Sequence, residues 1–134
     1  MQRTRVAVLR GGLGGEYELS LQTGEHVMRV IDVQRYEIVD VVISKSGEWL
    51  VKGKVRKPQE LLHQVDLVFV ALHNICGENG QIQKILDDSG VRYTGSQTFP
   101  SAIANHKAMT KDRLVQHGVR MRQHMLVGQH VSPT

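Results

Sequence analysis

The chain has 134 residues, about the length of one domain, which excludes an assembly of several independent cores. Its 40% hydrophobic and 22% charged residues are an ordinary globular composition, so the chain is not expected to be disordered throughout. The net charge of +4 is mildly basic and aromatic residues make up only 4%, which argues against a nucleic-acid groove built from stacking side chains.

The N-terminal part of the chain is predicted to form a strand, a glycine loop, a helix and a second strand. Residues 5–10 are a short apolar run that ends in the glycine-rich segment 11–15. Apolar residues then recur every three to four positions over 18–31, which indicates an amphipathic helix with Ser20 as its N-cap. Residues 36–43 are almost continuously apolar, which is typical of a parallel-sheet strand covered on both faces.

The middle of the chain predicts a hairpin, a short helix and a third long strand. Residues 44–57 are polar with two glycines, which favours a small exposed hairpin. Its basic flank, residues 52–57, is more simply explained as a solvated surface than as a binding patch. Pro58 begins a short helix that runs to His63, and residues 65–72 form a strand that ends in a second glycine-containing loop.

The remaining elements continue the alternation of strands and helices. We predict a helix over 81–88, a strand over 91–94, helices over 98–104 and 106–117, the second with Asn105 as its N-cap, and a further strand from 125–127. This alternation implies an α/β fold with an open parallel sheet and flanking helices. We place one domain at 1–122, and we expect 123–134 to begin a further, central domain or to be a frayed tail.

Two features bear on membranes and on the cellular compartment. The longest apolar run, residues 67–72, is far shorter than the roughly 20 residues that span a bilayer, so no membrane contact is expected. The single cysteine, Cys76, cannot form an internal disulfide, and the chain begins without an apolar leader. Both observations favour a cytoplasmic protein.

Both glycine-containing loops follow predicted strands, at the sheet edge where open parallel sheets bind ligands. The first loop, residues 11–16, matches neither the G-x-G-x-x-G dinucleotide pattern nor a P-loop. It places Glu16 near a helix start, where the carboxylate can hold the ammonium group of a small ligand. Spacing alone favours the simpler explanation that Glu16 stabilises the helix N-terminus.

The second loop, residues 73–80, offers an imidazole and a carboxylate directly after a buried strand. His73 can orient or polarise a substrate at neutral pH, and a hydrogen-bonded structural role explains it equally well. Glu78 is better explained as a tether of the loop backbone, and Cys76 as an inert thiol, since no base lies near it in sequence. The other histidines lack metal-binding spacing, so no structural zinc site is expected.

Four segments together resemble the N-terminal part of the D-alanine:D-alanine ligases, in the order that the family has them. They are residues 5–24 (RVAVLRGGLGGEYELSLQTG), 71–80 (ALHNICGENG), 93–96 (YTGS) and 101–111 (SAIANHKAMTK). The likeness covers almost the whole chain, and four ordered motifs are far more specific than either loop alone.

The resemblance implies a Rossmann-like domain that precedes an ATP-grasp domain, in a cytoplasmic enzyme that joins two D-alanines for peptidoglycan. In that family ATP phosphorylates the first D-alanine's carboxylate, the second D-alanine's amine attacks the acyl phosphate, and magnesium bridges the phosphates. By motif, Glu16 is similar to the carboxylate that holds the first ammonium, His73 to the imidazole beside the activated carboxyl, and Lys107 to the lysine at the nucleotide cleft. Gly12 and Ser20 match positions that shape the substrate pocket.

The matched segments lack the family's ATP-grasp domain and magnesium carboxylates. The resemblance therefore implies a chain that binds D-alanine, binds ATP only together with that domain, holds no metal by itself and is inactive alone. It also implies a homodimer, and it leaves D-alanine, D-lactate and D-serine open as the second substrate. The alternative is a non-catalytic or vestigial binding module of the same fold that contacts another subunit.

The chain departs from the family's usual residues at several positions within the motifs. These are Gly14 with Gly15, Asn74, Asn79, His106 and Arg120. None of them removes the carboxylate, the imidazole or the lysine.

Overall fold

Strands and helices alternate along the chain in a computed structural model that describes residues 3–73 and 80–127. The strands are β1 (Thr4–Gly11), β2 (Tyr36–Ile43), β3 (Trp49–Val51), β4 (Lys54–Val55), β5 (Leu67–Val70) and β6 (Arg92–Tyr93). The helices are α1 (Tyr17–Val30), α2 (Pro58–Leu62), α3 (Gln81–Ser89), α4 (Thr98–Asn105) and α5 (Lys107–Gln116).

The six strands form a single sheet with the order β4-β3-β2-β1-β5-β6. Four neighbouring strands of the sheet, β2, β1, β5 and β6, are parallel, which confirms the predicted α/β fold. The hairpin predicted between residues 44 and 57 is present as β3 and β4, and it also extends the sheet, because β3 pairs antiparallel with β2. The sheet order changes direction at β1, whose neighbours are β2 and β5, and such a point is where open α/β sheets bind ligands.

The two faces of β1 are covered by different helices. Alternation along the strand places Leu9 in the main hydrophobic core, with Leu62 of α2 and Leu86 of α3. On the opposite face, the aliphatic part of Arg10 lies against Gly24 of α1, where an added Cβ would lie 2.7 Å from the Cβ of Arg10. The glycine therefore lets α1 approach the sheet closely. The Arg10 guanidinium makes two hydrogen bonds of 2.7 Å to the Asp40 carboxylate on β2.

Both predicted N-caps are wrong by a few residues. Helix α1 begins at Tyr17, because the carbonyl of Glu16 already accepts the N–H of Ser20 at 2.9 Å, so Ser20 lies inside the helix. Asn105 is the last residue of α4, and the cap of α5 is His106, whose Nδ1 accepts the N–H of Met109 at 3.3 Å. Helix α5 therefore begins with a side-chain cap, whereas α1 begins without one.

The predicted strand ends also differ from the structure. The strand over 65–72 is confined to Leu67–Val70, and the strand over 91–94 to Arg92–Tyr93. No strand forms at 125–127: Met125, Leu126 and Val127 are 83%, 73% and 68% exposed and have no neighbouring strand within the described part of the chain. The proposed boundary at residue 122 remains a prediction.

Candidate functional site

The carboxyl ends of β1 and β5 bring together the residues predicted to bind a substrate. Gly12 directly follows β1, is buried, and donates its N–H to the carbonyl of Ile43 at 2.7 Å. His73 follows β5 by three residues, and Ser20 reaches the same edge from α1. Glu16 lies between them in the loop that joins β1 to α1. Four positions separated by up to 61 residues therefore converge on one edge of the sheet.

The Ser20 hydroxyl takes the place of the last backbone hydrogen bond between β1 and β5. Ala71 donates its N–H to the carbonyl of Leu9 at 2.9 Å, and in a parallel pair the next bond would run from Gly11 N–H to the carbonyl of Ala71. Instead, Gly11 donates to the Ser20 hydroxyl at 2.9 Å, and that hydroxyl donates to the Ala71 carbonyl at 2.7 Å. Ser20 is 0% exposed, so it shapes this edge by separating two strands.

Glu16 occupies the N-cap position of α1 but does not use its side chain as a cap. Its backbone has φ −100° and ψ 20°, and its carboxylate makes no capping hydrogen bond. The side chain is exposed, and within the described part of the chain it forms no ion pair. The carboxylate is therefore accessible to a ligand, while it still lies where the helix dipole favours negative charge.

His73 is half-buried and is held by α1. Its Nε2 lies 2.9 Å from the hydroxyl oxygen of Thr23, one turn after Ser20. The imidazole is thus hydrogen-bonded, as the structural interpretation requires, and it also lies at the edge where β1 and β5 end, as the functional interpretation requires. The two interpretations offered by the sequence are compatible.

Lys107 lies at a neighbouring cavity between β5, β6 and the last two helices. The cavity has a volume of about 580 Å³, and its polar lining includes Thr94, Ser96, Ser101 and Lys107. Thr94 repeats the arrangement seen at Ser20, because its hydroxyl accepts the N–H of Val70 at 3.0 Å. Side-chain hydroxyls therefore terminate both strand pairs that flank β5.

A cluster of hydrogen bonds around Asp87 joins three elements next to this cavity. The Asp87 carboxylate accepts bonds from the Tyr93 hydroxyl at 2.6 Å and from the backbone and hydroxyl of Thr98, which joins α3, β6 and α4. The bonds from Thr98 and Tyr93 hold the pKa of the Asp87 carboxyl below its usual value. Burial, with the bond to Asp87, raises the pKa of the Tyr93 phenol to about 12.

Three side chains at the site were missed by the sequence analysis. Thr23 and Thr94 are ordinary helix and strand-end residues by pattern, and only the fold brings their hydroxyls to His73 and to Val70. The third is Lys45, whose ammonium lies 5.0 Å from the centre of the Tyr17 ring and so places a cation beside the start of α1. Thr94 lies in the motif YTGS and Thr23 in the segment 5–24, but neither position was singled out, and no sequence signal marked Lys45.

Several predictions fall on residues that the structure leaves undescribed. Asn74, Cys76, Glu78 and Asn79 lie outside the described residues, so their expected roles remain predictions. Over 3–73 and 80–127, no group of three or more His, Cys, Asp or Glu side chains could hold a metal ion. In the same ranges no helix has the length and apolarity needed to cross a membrane.

Comparison with known proteins relates the chain to one group of enzymes. Residues 5–61 match the family model described as the D-ala D-ala ligase N-terminus. The D-alanine–D-alanine ligase of Deinococcus radiodurans is 33% identical, in an alignment that covers 87% of this chain and 39% of that protein. The chain is therefore similar to the D-alanine–D-alanine ligases. It corresponds to the N-terminal part of these ligases and spans about two fifths of the length of the curated relatives it matches.

Solved structures of ligases share the fold. The D-alanine–D-alanine ligase from Bacillus anthracis complexed with ATP superposes with a TM-score of 0.80 at 25% identity, covering 98% of this chain and 42% of that one. The VanG D-Ala:D-Ser ligase from Enterococcus faecalis gives 0.77 at 25% identity, covering 91% of this chain and 44% of that one. The fold is therefore that of the ligase N-terminal region.

Proposed function

We propose that the chain is the substrate-side domain of an ATP-dependent ligase that forms D-alanyl-D-alanine for peptidoglycan. The observation that carries this proposal is the convergence of Gly12, Glu16, Ser20 and His73 at the carboxyl ends of β1 and β5 in a chain similar to the D-alanine–D-alanine ligases. In this proposal Glu16 binds the ammonium of the first D-alanine through charge-assisted hydrogen bonds. His73 lies beside the carboxyl group that becomes activated, and the other two shape the pocket.

We assign the cavity around Lys107 to the edge of the nucleotide cleft. The residues present fit a phosphate-bearing ligand, because three hydroxyl groups and one ammonium line the cavity. ATP, when bound, supplies the phosphoryl group that activates the carboxylate. Lys107 would hold a phosphate oxygen there, and Thr94 and Ser96 offer hydroxyl donors. Magnesium would be held by carboxylates elsewhere, since the described residues offer no suitable cluster.

The remaining properties of the proposed ligase follow from the family. We propose a cytoplasmic enzyme that acts as a homodimer and contacts neither nucleic acid nor membrane. We expect the 134-residue chain alone to bind D-alanine weakly and to hydrolyse no ATP, because most of the electrostatic stabilisation of transferring phosphate would lie in the ATP-grasp domain. D-alanine, D-lactate and D-serine all remain candidates for the second substrate.

Binding of D-alanine to the chain tests the role of Glu16. Titration calorimetry should detect D-alanine, and Glu16→Gln should weaken binding by at least about tenfold, because it removes the charge that pairs with the ammonium. Glu18→Gln is the matched control, since Glu18 is exposed in the first turn of the same helix and should leave binding unchanged. Equal binding by wild type and Glu16→Gln would refute the assignment.

A binding module without catalysis is the second candidate, and one observation favours it. Large apolar side chains are exposed on α4 and after α5, among them Phe99 at 67% and Met125 at 83%, and such surfaces commonly contact other domains or subunits. The intact mass of the native protein, captured from its source cell, separates the candidates. A mass well above 15.1 kDa supports a ligase in one chain, whereas 15.1 kDa favours a module that needs a partner.

A further inference from the structure

The contact between α1 and His73 limits what the imidazole can do. Nε2 of His73 lies 2.9 Å from the hydroxyl oxygen of Thr23, within hydrogen-bond distance. Thr23 lies in α1, seven residues after its N-cap Glu16, so one element positions both the proposed ammonium-binding carboxylate and the group that holds the imidazole. The partner of Nε2 therefore decides which ring nitrogen is left for a ligand.

The neighbouring carbonyl of Leu19 favours one direction for this bond. The Thr23 hydroxyl has one proton, and it donates that proton to the carbonyl of Leu19 at 3.0 Å. With that proton placed on Leu19, the hydroxyl accepts from His73, and the ring proton is assigned to Nε2. In the neutral imidazole Nδ1 is consequently unprotonated. Within the described residues no other hydrogen bond is made by the His73 ring.

We propose that Thr23 is a positioning residue that fixes His73 as the Nε2–H tautomer and turns Nδ1 towards the ligand. This rests on the proposed function, in which His73 lies beside the carboxyl group of the first D-alanine. A neutral His73 accepts a hydrogen bond at Nδ1 from an ammonium group but has no proton there to donate to a carboxylate. Contact with a carboxylate requires Nδ1 to bind a proton from solvent, which gives an imidazolium that donates from both nitrogens.

Nitrogen NMR of the ¹⁵N-labelled chain tests the tautomer without any ligand. In the wild type we expect a protonated Nε2 and an unprotonated Nδ1 for His73, with a directly observed Nε2–H because the bond to Thr23 slows its exchange. Thr23→Val should remove that N–H signal and move the two nitrogen shifts towards each other. Thr23→Ser should restore the wild-type pattern, since it keeps the hydroxyl. His26, exposed on the same helix, is the internal control and should not change.

The outcomes separate this inference from the proposed function. A wild-type His73 protonated at Nδ1, or nitrogen shifts that Thr23→Val leaves unchanged, would overturn the role of Thr23 whatever the chain binds. The first of these results comes from the wild type, so it does not depend on whether the Thr23→Val variant folds. Failure of D-alanine to bind, with the Nε2–H tautomer observed and lost in Thr23→Val, would overturn the proposed function and leave the positioning role standing.

Discussion

Substitution of Ser20 by alanine tests whether the hydroxyl relay holds β1 and β5 in place. The change removes the acceptor of the Gly11 N–H and the donor to the Ala71 carbonyl, both at a position that is 0% exposed. A buried backbone group left without its partner costs about 1–3 kcal/mol. Alanine returns roughly 0.5 kcal/mol of helix propensity, so we expect a net loss of about 1–2 kcal/mol in the free energy of unfolding.

Urea denaturation followed by far-ultraviolet circular dichroism measures this loss from the midpoint and slope. Ser101→Ala is the matched control, because Ser101 is also buried but its hydroxyl donates to a single carbonyl, that of Ser96 at 3.1 Å. It should cost less than Ser20→Ala. A loss below about 0.5 kcal/mol for Ser20→Ala would refute the reasoning, and would mean that the strands close so that Gly11 bonds directly to Ala71.

Two further predictions concern packing and titration. Gly24→Ala should lower the free energy of unfolding by about 1 kcal/mol in the same urea assay. Overpacking against the Cβ of Arg10 costs about 1–3 kcal/mol, which outweighs the roughly 1 kcal/mol gained in helix propensity. A variant more stable than the wild type would contradict this. Phenolate absorbance should show one tyrosine titrating at about 12, and Tyr93→Phe should remove that step. Because the pKa of Tyr93 is raised on folding, its contribution to the stability of the folded state is complete below about pH 10 and is lost as the pH rises through about 12. A wild-type free energy of unfolding that stays constant over this pH range would contradict the prediction.

Local patterns were sufficient for the elements that are long or strongly apolar. The strand at 36–43 agrees with Tyr36–Ile43, and the helix at 81–88 agrees with Gln81–Ser89 to within one residue. Short strands and caps were less well predicted, because their ends depend on partners far away in the chain. Ser20 illustrates this: serine before an apolar run is an ordinary N-cap signal, yet its hydroxyl bonds to Gly11 and Ala71.

Strand–helix alternation and ordered motifs are local properties of the chain, so they alone indicated the α/β fold, the likeness to the ligases and the candidate residues Glu16, His73 and Lys107. The packing of distant segments then set how these residues lie in space. It placed Glu16 and His73 at the edge where β1 and β5 end, and Lys107 in the adjoining cavity. It also supplied Thr23 as the partner of His73, 50 residues away, because a hydrogen bond between distant residues leaves no periodic trace in the sequence.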